Sequence, residues 1–331
     1  MTTFWHGRRV LVTGAGGFIG SHLAEKLVRE GARVRTFVRY NSRGDPGLLS
    51  ILPRGIYEDL EIIPGDLRDL TAVMSAVRDI EIVFHLGAHI AIPYSYVHPV
   101  EVVQSNVMGT LNVLLAAREN GVQRMVHSSS SEVYGTATKA LIDETHPLRG
   151  QSPYAASKIG ADKLVESFCC TYDLPAVTLR PFNTYGPRQS ARAVIPAIIT
   201  QALTQDVIWL GNLDAQRDFT FVFDTVEGFL RAAETRDVEG QTFNLGAGSA
   251  IRVGELAAEI LSLLGTQKEV RVDPTRLRPE KSEVQRLISN NSLARDCLGW
   301  APQISMRQGL SETIGWISEH LSLYRPERYQ V

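Results

Sequence analysis

The chain has 331 residues, 44% of them hydrophobic and 21% charged, which is apolar mass enough for one large core or two coupled lobes. Its formal net charge is -2 with no basic stripe, so nucleic acid is excluded as an expected partner and any anion site must come from individual arginines. Cys169, Cys170 and Cys297 form an odd, sparse set without metal spacing, as suits a reducing cytoplasm. The longest apolar runs read as too short to span a bilayer, and Met1 to His6 lacks the apolar run of a signal peptide.

The first predicted element is a strand from Arg9 to Thr13, centred on Val10-Leu11-Val12. It runs into Gly14-Ala15-Gly16-Gly17-Phe18-Ile19-Gly20 and then a helical pattern with Leu23, Leu27 and Val28 on one side. Strand, glycine turn and helix together make a dinucleotide site credible. Gly14 permits the tight turn, Gly17 lets the backbone approach a pyrophosphate, and Gly20 lets helix and strand pack closely. The opening of the helix, with Phe18 and Ile19, faces the phosphate charge. The spacing is G-x-x-G-x-x-G rather than G-x-G-x-x-G.

A second strand, Val34 to Val38, ends at Arg39, where an NAD site usually carries Asp or Glu about 20 residues past the glycines. Arg39 and Ser42 suit a 2′-phosphate, which favours NADP over NAD. Alternatively, Arg39 stacks on adenine or faces solvent. Further strands are expected at Glu61–Ile63, Ile82–Leu86, Met125–Ser128 and Ala176–Leu179, with helices at Ala72–Val77, Val102–Glu119 and Ala155–Tyr172 between them. His85 and His89 have no paired ligands, so no metal site is expected. Beyond Pro181 the pattern loosens into helices at 193–203, 224–233, 253–264 and 306–320 and a strand at 243–245. The alternation predicts an α/β fold of the Rossmann type, a doubly wound parallel sheet with a smaller C-terminal α/β substrate lobe. Residues 1–180, with returning segments at about 222–248, form the expected nucleotide lobe. Residues 181–331 form a discontinuous second lobe.

Four side chains carry the chemistry: Ser130 and Glu132, in Ser128-Ser129-Ser130-Ser131-Glu132, and Tyr154 and Lys158, in Tyr154-Ala155-Ala156-Ser157-Lys158. Tyr and Lys four apart on a helix share one face, so the ammonium is expected to lower the phenol's pKa and make Tyr154 a base near neutral pH. Ser130 offers a hydroxyl to the same substrate oxygen. With a nicotinamide alongside, these three oxidise an alcohol. Glu132 adds a carboxylate that simple oxidation does not need; the bland alternative is a solvated loop residue.

These segments, with Gly65-Asp66-Leu67, His85-Leu86-Gly87-Ala88, Asn106, Arg180-Pro181-Phe182-Asn183-Thr184-Tyr185-Gly186-Pro187-Arg188, Arg217-Asp218-Phe219, Asn244-Leu245-Gly246, Arg278-Pro279 and Leu298-Gly299-Trp300, resemble one family in order and nearly end to end. It is the extended short-chain dehydrogenase/reductases of the sugar-nucleotide epimerase and dehydratase group. The resemblance implies a tightly bound, recycled NAD(P), with Asp66 at the adenine and Leu67, Leu86 and Ala88 nearby. It implies a nucleotide-diphosphate sugar held by Arg217, Arg278 and Asn183, with Arg188 and Arg192 on a loop closing over the sugar or base. Tyr94 and Ser95 would line the sugar pocket or serve as packing. Asn106 would be a structural kink beside the site. Helices 102–119 and 155–172 would pair in a homodimer.

Ile92-Pro93-Tyr94-Ser95-Tyr96 and Gln189-Ser190-Ala191-Arg192 narrow the resemblance to 4,6-dehydratases acting on GDP- or UDP-linked N-acetylglucosamine in legionaminic-acid-type pathways. That reading has Tyr154 deprotonating O4 while C4 is oxidised and Glu132 removing the C5 proton. Water then leaves from C6 and hydride returns there, giving a 4-keto-6-deoxy sugar. Glucose-type members carry Asp where this chain has Ser131; mannose-type members carry Ser, so Glu132 would itself protonate the leaving oxygen. A 4-epimerase and a UDP-glucuronate decarboxylase stay open, since the Ser-Glu pair also occurs in the latter. The decarboxylase would need a cation dedicated to the substrate carboxylate.

Overall fold

A computed structural model describes residues 4–324; the outermost ends of the two expected lobes, residues 1–3 and 325–331, lie outside the described residues. The chain begins with β1 (Arg9–Thr13), α1 (Phe18–Arg29), β2 (Arg33–Arg39), α2 (Arg54–Glu58), β3 (Leu60–Gly65), α3 (Leu70–Val77) and β4 (Ile82–His85). Next come α4 (Ile92–Val97), α5 (Pro99–Val103), α6 (Gly109–Glu119), β5 (Arg124–Ser128), α7 (Pro153–Tyr172), β6 (Ala176–Pro181), β7 (Asn183–Tyr185) and α8 (Val194–Thr204). The rest is β8 (Val207–Leu210), β9 (Gln216–Arg217), β10 (Phe219–Phe221), α9 (Val222–Glu234), β11 (Thr242–Leu245), β12 (Ile251–Arg252), α10 (Val253–Leu263), β13 (Glu269–Val272), β14 (Arg286–Leu287), α11 (Ser292–Leu298) and α12 (Met306–Glu319).

Seven strands form one sheet in the order β11-β6-β5-β4-β1-β2-β3, every pair parallel. Such strands are covered on both faces and read as continuous apolar runs; β6 is buried at all of its residues. One face packs on α1 and α9 through Leu23, Leu27, Val226 and Phe229, the other on α3, α6 and α7 through Val73, Val113, Leu114 and Phe168. The chain order reverses between β1 and β4, and a crevice opens past the carboxyl ends of those strands, where doubly wound sheets place ligands.

Helix ends follow local rules. Ser152 accepts from Ala155 N and Pro153 occupies the first turn of α7, while Asp69 caps α3. α5, a π-helical turn at Gln104–Met108 and α6 run on as one helix, Pro99–Glu119. At 21 residues it is long and apolar enough to cross a membrane by length and composition alone, which corrects the expectation that every apolar run is too short. Half of its apolar stretch is buried, and the helix packs against α3 and α7, as a core helix does. The π turn absorbs an extra residue and turns Asn106 inward.

The segments between 185 and 324 other than α9, β11 and α11 gather a second core around Ile198, Ile199, Leu256 and Leu310. The small sheets there, β7–β10, β8–β13 and β12-β9-β14, had no counterpart in the sequence pattern, because strands of two to four residues are too short to show alternation. α4, a single short helix opened by Pro93, was missed for the same reason.

Candidate active site

The first cleft lies at the crevice between β1 and β4. Gly14, Phe37, Arg39, Asp66, Leu67, Gly87 and Ala88 line it, and it encloses about 580 Å³ including its open mouth. Gly14 has φ +71°, and a Cβ there would lie 2.7 Å from Gly87 N, so two backbones meet on the cleft floor and neither leaves room for a side chain. A Cβ on Gly20 would lie 2.3 Å from Gly14 O, which explains why helix and turn close only with glycine. Gly17 caps α1 with no side-chain bond, leaving the first N–H groups of the helix to face an anion. This cradle fits a dinucleotide. Phe18 and Ile19 open α1 directly after the turn, and their side chains pack on the sheet core. Leu86 departs from expectation: its side chain also packs into that core, and Gly87 and Ala88 take the wall. Asp66 is held by Arg68 through Oδ1–Nε at 3.0 Å and Oδ2–Nη2 at 2.6 Å, an arrangement that keeps its carboxyl below the usual range. Arg39 pairs with Glu101 at 3.2 Å.

Ser130, Ser131 and Glu132 follow β5 on a 3₁₀ turn; Tyr154 and Lys158 sit one helical turn apart near the start of α7. The Ser130 hydroxyl accepts from Glu132 N at 3.2 Å and lies close enough to the Tyr154 phenol to lower its pKa. Ser131 is buried at the start of the turn. Lys158 donates from Nζ to Ser128 O at 2.7 Å. Asn106 receives His89 N at 2.7 Å and donates to Ser157 Oγ at 2.9 Å, and Ser157 in turn donates to Tyr154 O at 2.7 Å. His89 lines the first cleft, so Asn106 ties that wall to the Tyr154 turn.

The acid–base balance differs from the sequence argument. Burial pushes the Tyr154 phenol up to about 12; the Ser130 bond acts downward, and the charges of Glu132 and Asp162 act upward. Burial pulls the Lys158 ammonium down to about 8, opposed by Asp162. Desolvation of the phenolate therefore decides the balance, and the neighbouring ammonium has its Nζ committed to Ser128 O.

The second cleft, about 1190 Å³ with its mouth, is lined by Asn183, Gln189, Arg192, Asn212, Arg217, Arg276, Arg278 and Glu283 among others. Arginines dominate its charge, as a diphosphate requires. Arg217 is paired with Glu283 at 3.1 Å, and Arg278 Nη1 lies 3.5 Å from Glu132 Oε1, which joins the cleft to the Ser130–Tyr154 set. Glu283, which the sequence reading missed, carried no local signal; its partner lies 66 residues away.

Three expected contacts lie elsewhere. Arg188, at φ +68°, turns its guanidinium to Glu25 of α1 at 2.5 Å; together with the His22 Nε2 bond to Pro187 O at 2.9 Å it straps the loop onto α1 instead of closing over a sugar. Ser95 is fully buried and donates to Ile92 O at 2.7 Å within α4. Tyr94 donates to Glu101 at 2.5 Å and stacks near His89 and His98, so Pro93 is the α4 residue on the second cleft.

Comparison with known proteins agrees with this geometry. The sequence profile described as GDP-mannose 4,6 dehydratase matches residues 11–313. A UDP-glucose 4-epimerase of Mycolicibacterium smegmatis is 34% identical, over 92% of this chain and 97% of its own. A UDP-N-acetyl-alpha-D-glucosaminuronate decarboxylase of Bacillus cytotoxicus is 32% identical, over 94% of this chain and 98% of its own. The crystal structure of DesIV, a dTDP-glucose 4,6-dehydratase from Streptomyces venezuelae with NAD bound, superposes with a TM-score of 0.85 at 29% identity, over 97% of this chain and 100% of its own. With this glycine cradle, this Ser/Tyr/Lys set and these relatives, the chain belongs to the GDP-mannose 4,6-dehydratase family, the extended short-chain dehydrogenase/reductases that act on sugar nucleotides.

Proposed function

We propose that the protein is a sugar-nucleotide 4,6-dehydratase, converting a nucleotide-linked hexose to its 4-keto-6-deoxy form with loss of one water. The observation that carries this reading is Glu132: its backbone N–H is bonded to Ser130, its carboxylate faces Arg278, and its charge reaches Tyr154. A carboxylate there has no part in alcohol oxidation but supplies the base that an acidified C5 hydrogen needs.

A nicotinamide dinucleotide, which Gly14, Gly17 and Gly20 would hold, would supply the hydride acceptor and donor when bound. Tyr154 takes the O4 proton, Ser130 orients that oxygen, and Lys158 holds positive charge beneath the phenol. Glu132 accepts the C5 proton from the 4-ketone. The C6 hydroxyl departs as water with a proton from Glu132, because Ser131 has no acidic proton to give; as hydride returns to C6, C5 takes a proton from solvent, and Tyr154 releases the O4 proton to solvent to close the cycle. Arg217, Arg278, Arg192 and Asn183 line the cleft for the diphosphate and sugar. GDP- or UDP-linked N-acetylglucosamine is the substrate class proposed, on the resemblance of residues 92–96 and 189–192. NADP is the cofactor proposed, because Arg39 stands at the end of β2 and Arg39 and Arg68 both border the first cleft.

A second reading is favoured by one observation. Arg278, 3.5 Å from Glu132, is a cation beside the catalytic carboxylate, and a decarboxylase would use it for the glucuronate carboxylate rather than for the diphosphate. Incubation with a panel of sugar nucleotides, read by mass, separates the readings. Loss of water supports the dehydratase, loss of carbon dioxide the decarboxylase, and unchanged mass with an inverted C4 a 4-epimerase. A homodimer is also proposed. Val97, Val100, Val103, Met108 and Tyr172 are exposed around α5, the π turn and α7, whereas Val113, Leu114, Val165 and Phe168 face the sheet. A monomer mass in light scattering would refute it.

A further inference from the structure

Tyr154, Lys158 and Asp162 form a stripe at i, i+4 and i+8 on α7, and all three side chains are buried. The first two are accounted for by C4 oxidation; Asp162 is not. Its Oδ2 receives Arg180 Nε at 3.1 Å and Nη2 at 3.0 Å from β6. Arg180 is itself fixed, since its Nη1 donates to Tyr134 OH at 2.9 Å and Tyr134 OH donates to Asn244 Oδ1 at 2.7 Å. The other carboxylate oxygen, Oδ1, faces His127 Nε2 of β5 at 3.4 Å, and His127 stacks on His85 of β4 with ring centroids 5.6 Å apart.

A purely structural ion pair would be satisfied anywhere in the core. This one lies one helical turn below the lysine that the chemistry needs charged. The groups facing Lys158 are few: Tyr154 and Asp162 on its own helix, Ser128 O and His127 on β5, and His85 on β4. Both histidines are buried, and burial together with the Lys158 charge holds them neutral. Asp162 is therefore the anion that balances the ammonium. Against its burial, His127 first and then Arg180 keep that carboxylate ionised, and the two-point Arg180 clamp keeps it from swinging to Lys158 and pulling Nζ off Ser128 O.

We propose that Asp162, clamped by Arg180, is a positioning residue for the oxidation step, holding the Lys158 ammonium charged and in place beneath Tyr154. The proposal rests on the Tyr154/Lys158 oxidation and not on water loss, so it holds equally for the dehydratase, decarboxylase and epimerase readings.

The test is the pH profile of kcat/KM for the purified holoenzyme and its Asp162→Asn variant, with the sugar nucleotide that the wild type turns over. Wild-type turnover on some member of the panel tests the functional reading; only the variant tests Asp162. Losing an opposite charge at this range lowers an ammonium pKa by about one unit or more. The alkaline limb of D162N is therefore expected at least about one pH unit lower, with activity at pH 8 down roughly fivefold or more and recovering toward pH 6.5. Asp162→Glu restores most of the limb. Should D162N fail to fold, the double replacement of Asp162 by Leu and Arg180 by Met removes both charges without leaving an orphan, and the same shift is expected. A variant that folds and keeps the wild-type limb, whether active or uniformly weakened, overturns the proposal.

Discussion

Glu132 and Arg278 meet with Oε1 and Nη1 3.5 Å apart, although 146 residues separate them in the chain. Arg278 thus belongs to two sites, the carboxylate loop after β5 and the cleft lined by Arg192 and Arg217. On the proposed function, a diphosphate entering that cleft would compete with Glu132 for one guanidinium. Replacing Arg278 removes a charged ligand contact and strands Glu132, which is only 14% exposed. Hydrogen bonds to charged groups contribute about 1.5–3 kcal/mol. Arg278→Gln is expected to weaken nucleoside-diphosphate binding about 10- to 100-fold, with Arg278→Lys intermediate. Titration calorimetry with the nucleoside diphosphate alone checks this; unchanged affinity would remove Arg278 from the diphosphate site.

The glycine cradle makes a sharper structural prediction. Gly20→Ala places a methyl 2.3 Å from Gly14 O, and Gly14→Ala adds a left-handed backbone at φ +71°. Overpacking of this kind costs about 1–3 kcal/mol, and the shift needed to relieve it opens the phosphate turn. Both variants should melt several degrees lower and purify with little dinucleotide. Gly315→Ala, in α12 with nothing near its added Cβ, should melt at or slightly above the wild-type temperature. Equal behaviour of all three would refute the close-approach account.

Lys158 sets an alkaline limit on turnover. Its ammonium is lowered by burial to about 8, so the charged form is lost as pH rises through that value. C4 oxidation, followed as absorbance of the reduced nicotinamide, should fall above about pH 8 and be restored on returning to lower pH. A rate flat to pH 10 would show that the lysine charge is not needed.

His22 gives a stability prediction of the opposite sense. Burial and the Arg188 charge lower it to about 4, below its unfolded value. The protonated form is thus favoured in the unfolded chain, and the associated stability is present above about pH 6.5 and lost as pH falls toward 4. His22→Gln keeps a donor for Pro187 O and removes the titration. Its melting temperature should decline less steeply than that of the wild type between pH 6.5 and 4.5; identical slopes would contradict this. His85 and His127, also lowered by burial, keep some slope in both proteins.

Much of this site was legible because it is local. The Gly14–Gly20 turn, the Tyr154/Lys158 spacing and the apolar runs of β1 to β6 each lie within a few residues, so periodicity and steric rules reach them. What was not legible depends on distant partners. Nothing near Arg188 indicates that Glu25, 163 residues earlier, will claim it. Nothing near Glu283 points to Arg217. The Tyr154 pKa was misjudged because sequence spacing reveals the neighbouring ammonium but not the depth of burial. Ser95 and Tyr94 look like pocket residues in a polar run, yet α4 turns one into its own backbone and the other onto Glu101.

Glu132→Gln tests the central claim most directly, with the substrate run in deuterated water and products read by mass and cofactor absorbance. The account predicts that C4 oxidation persists, seen as reduced nicotinamide, while water loss and deuterium uptake at C5 both stop. A Gln variant that eliminates water and takes up label at the wild-type rate would contradict it.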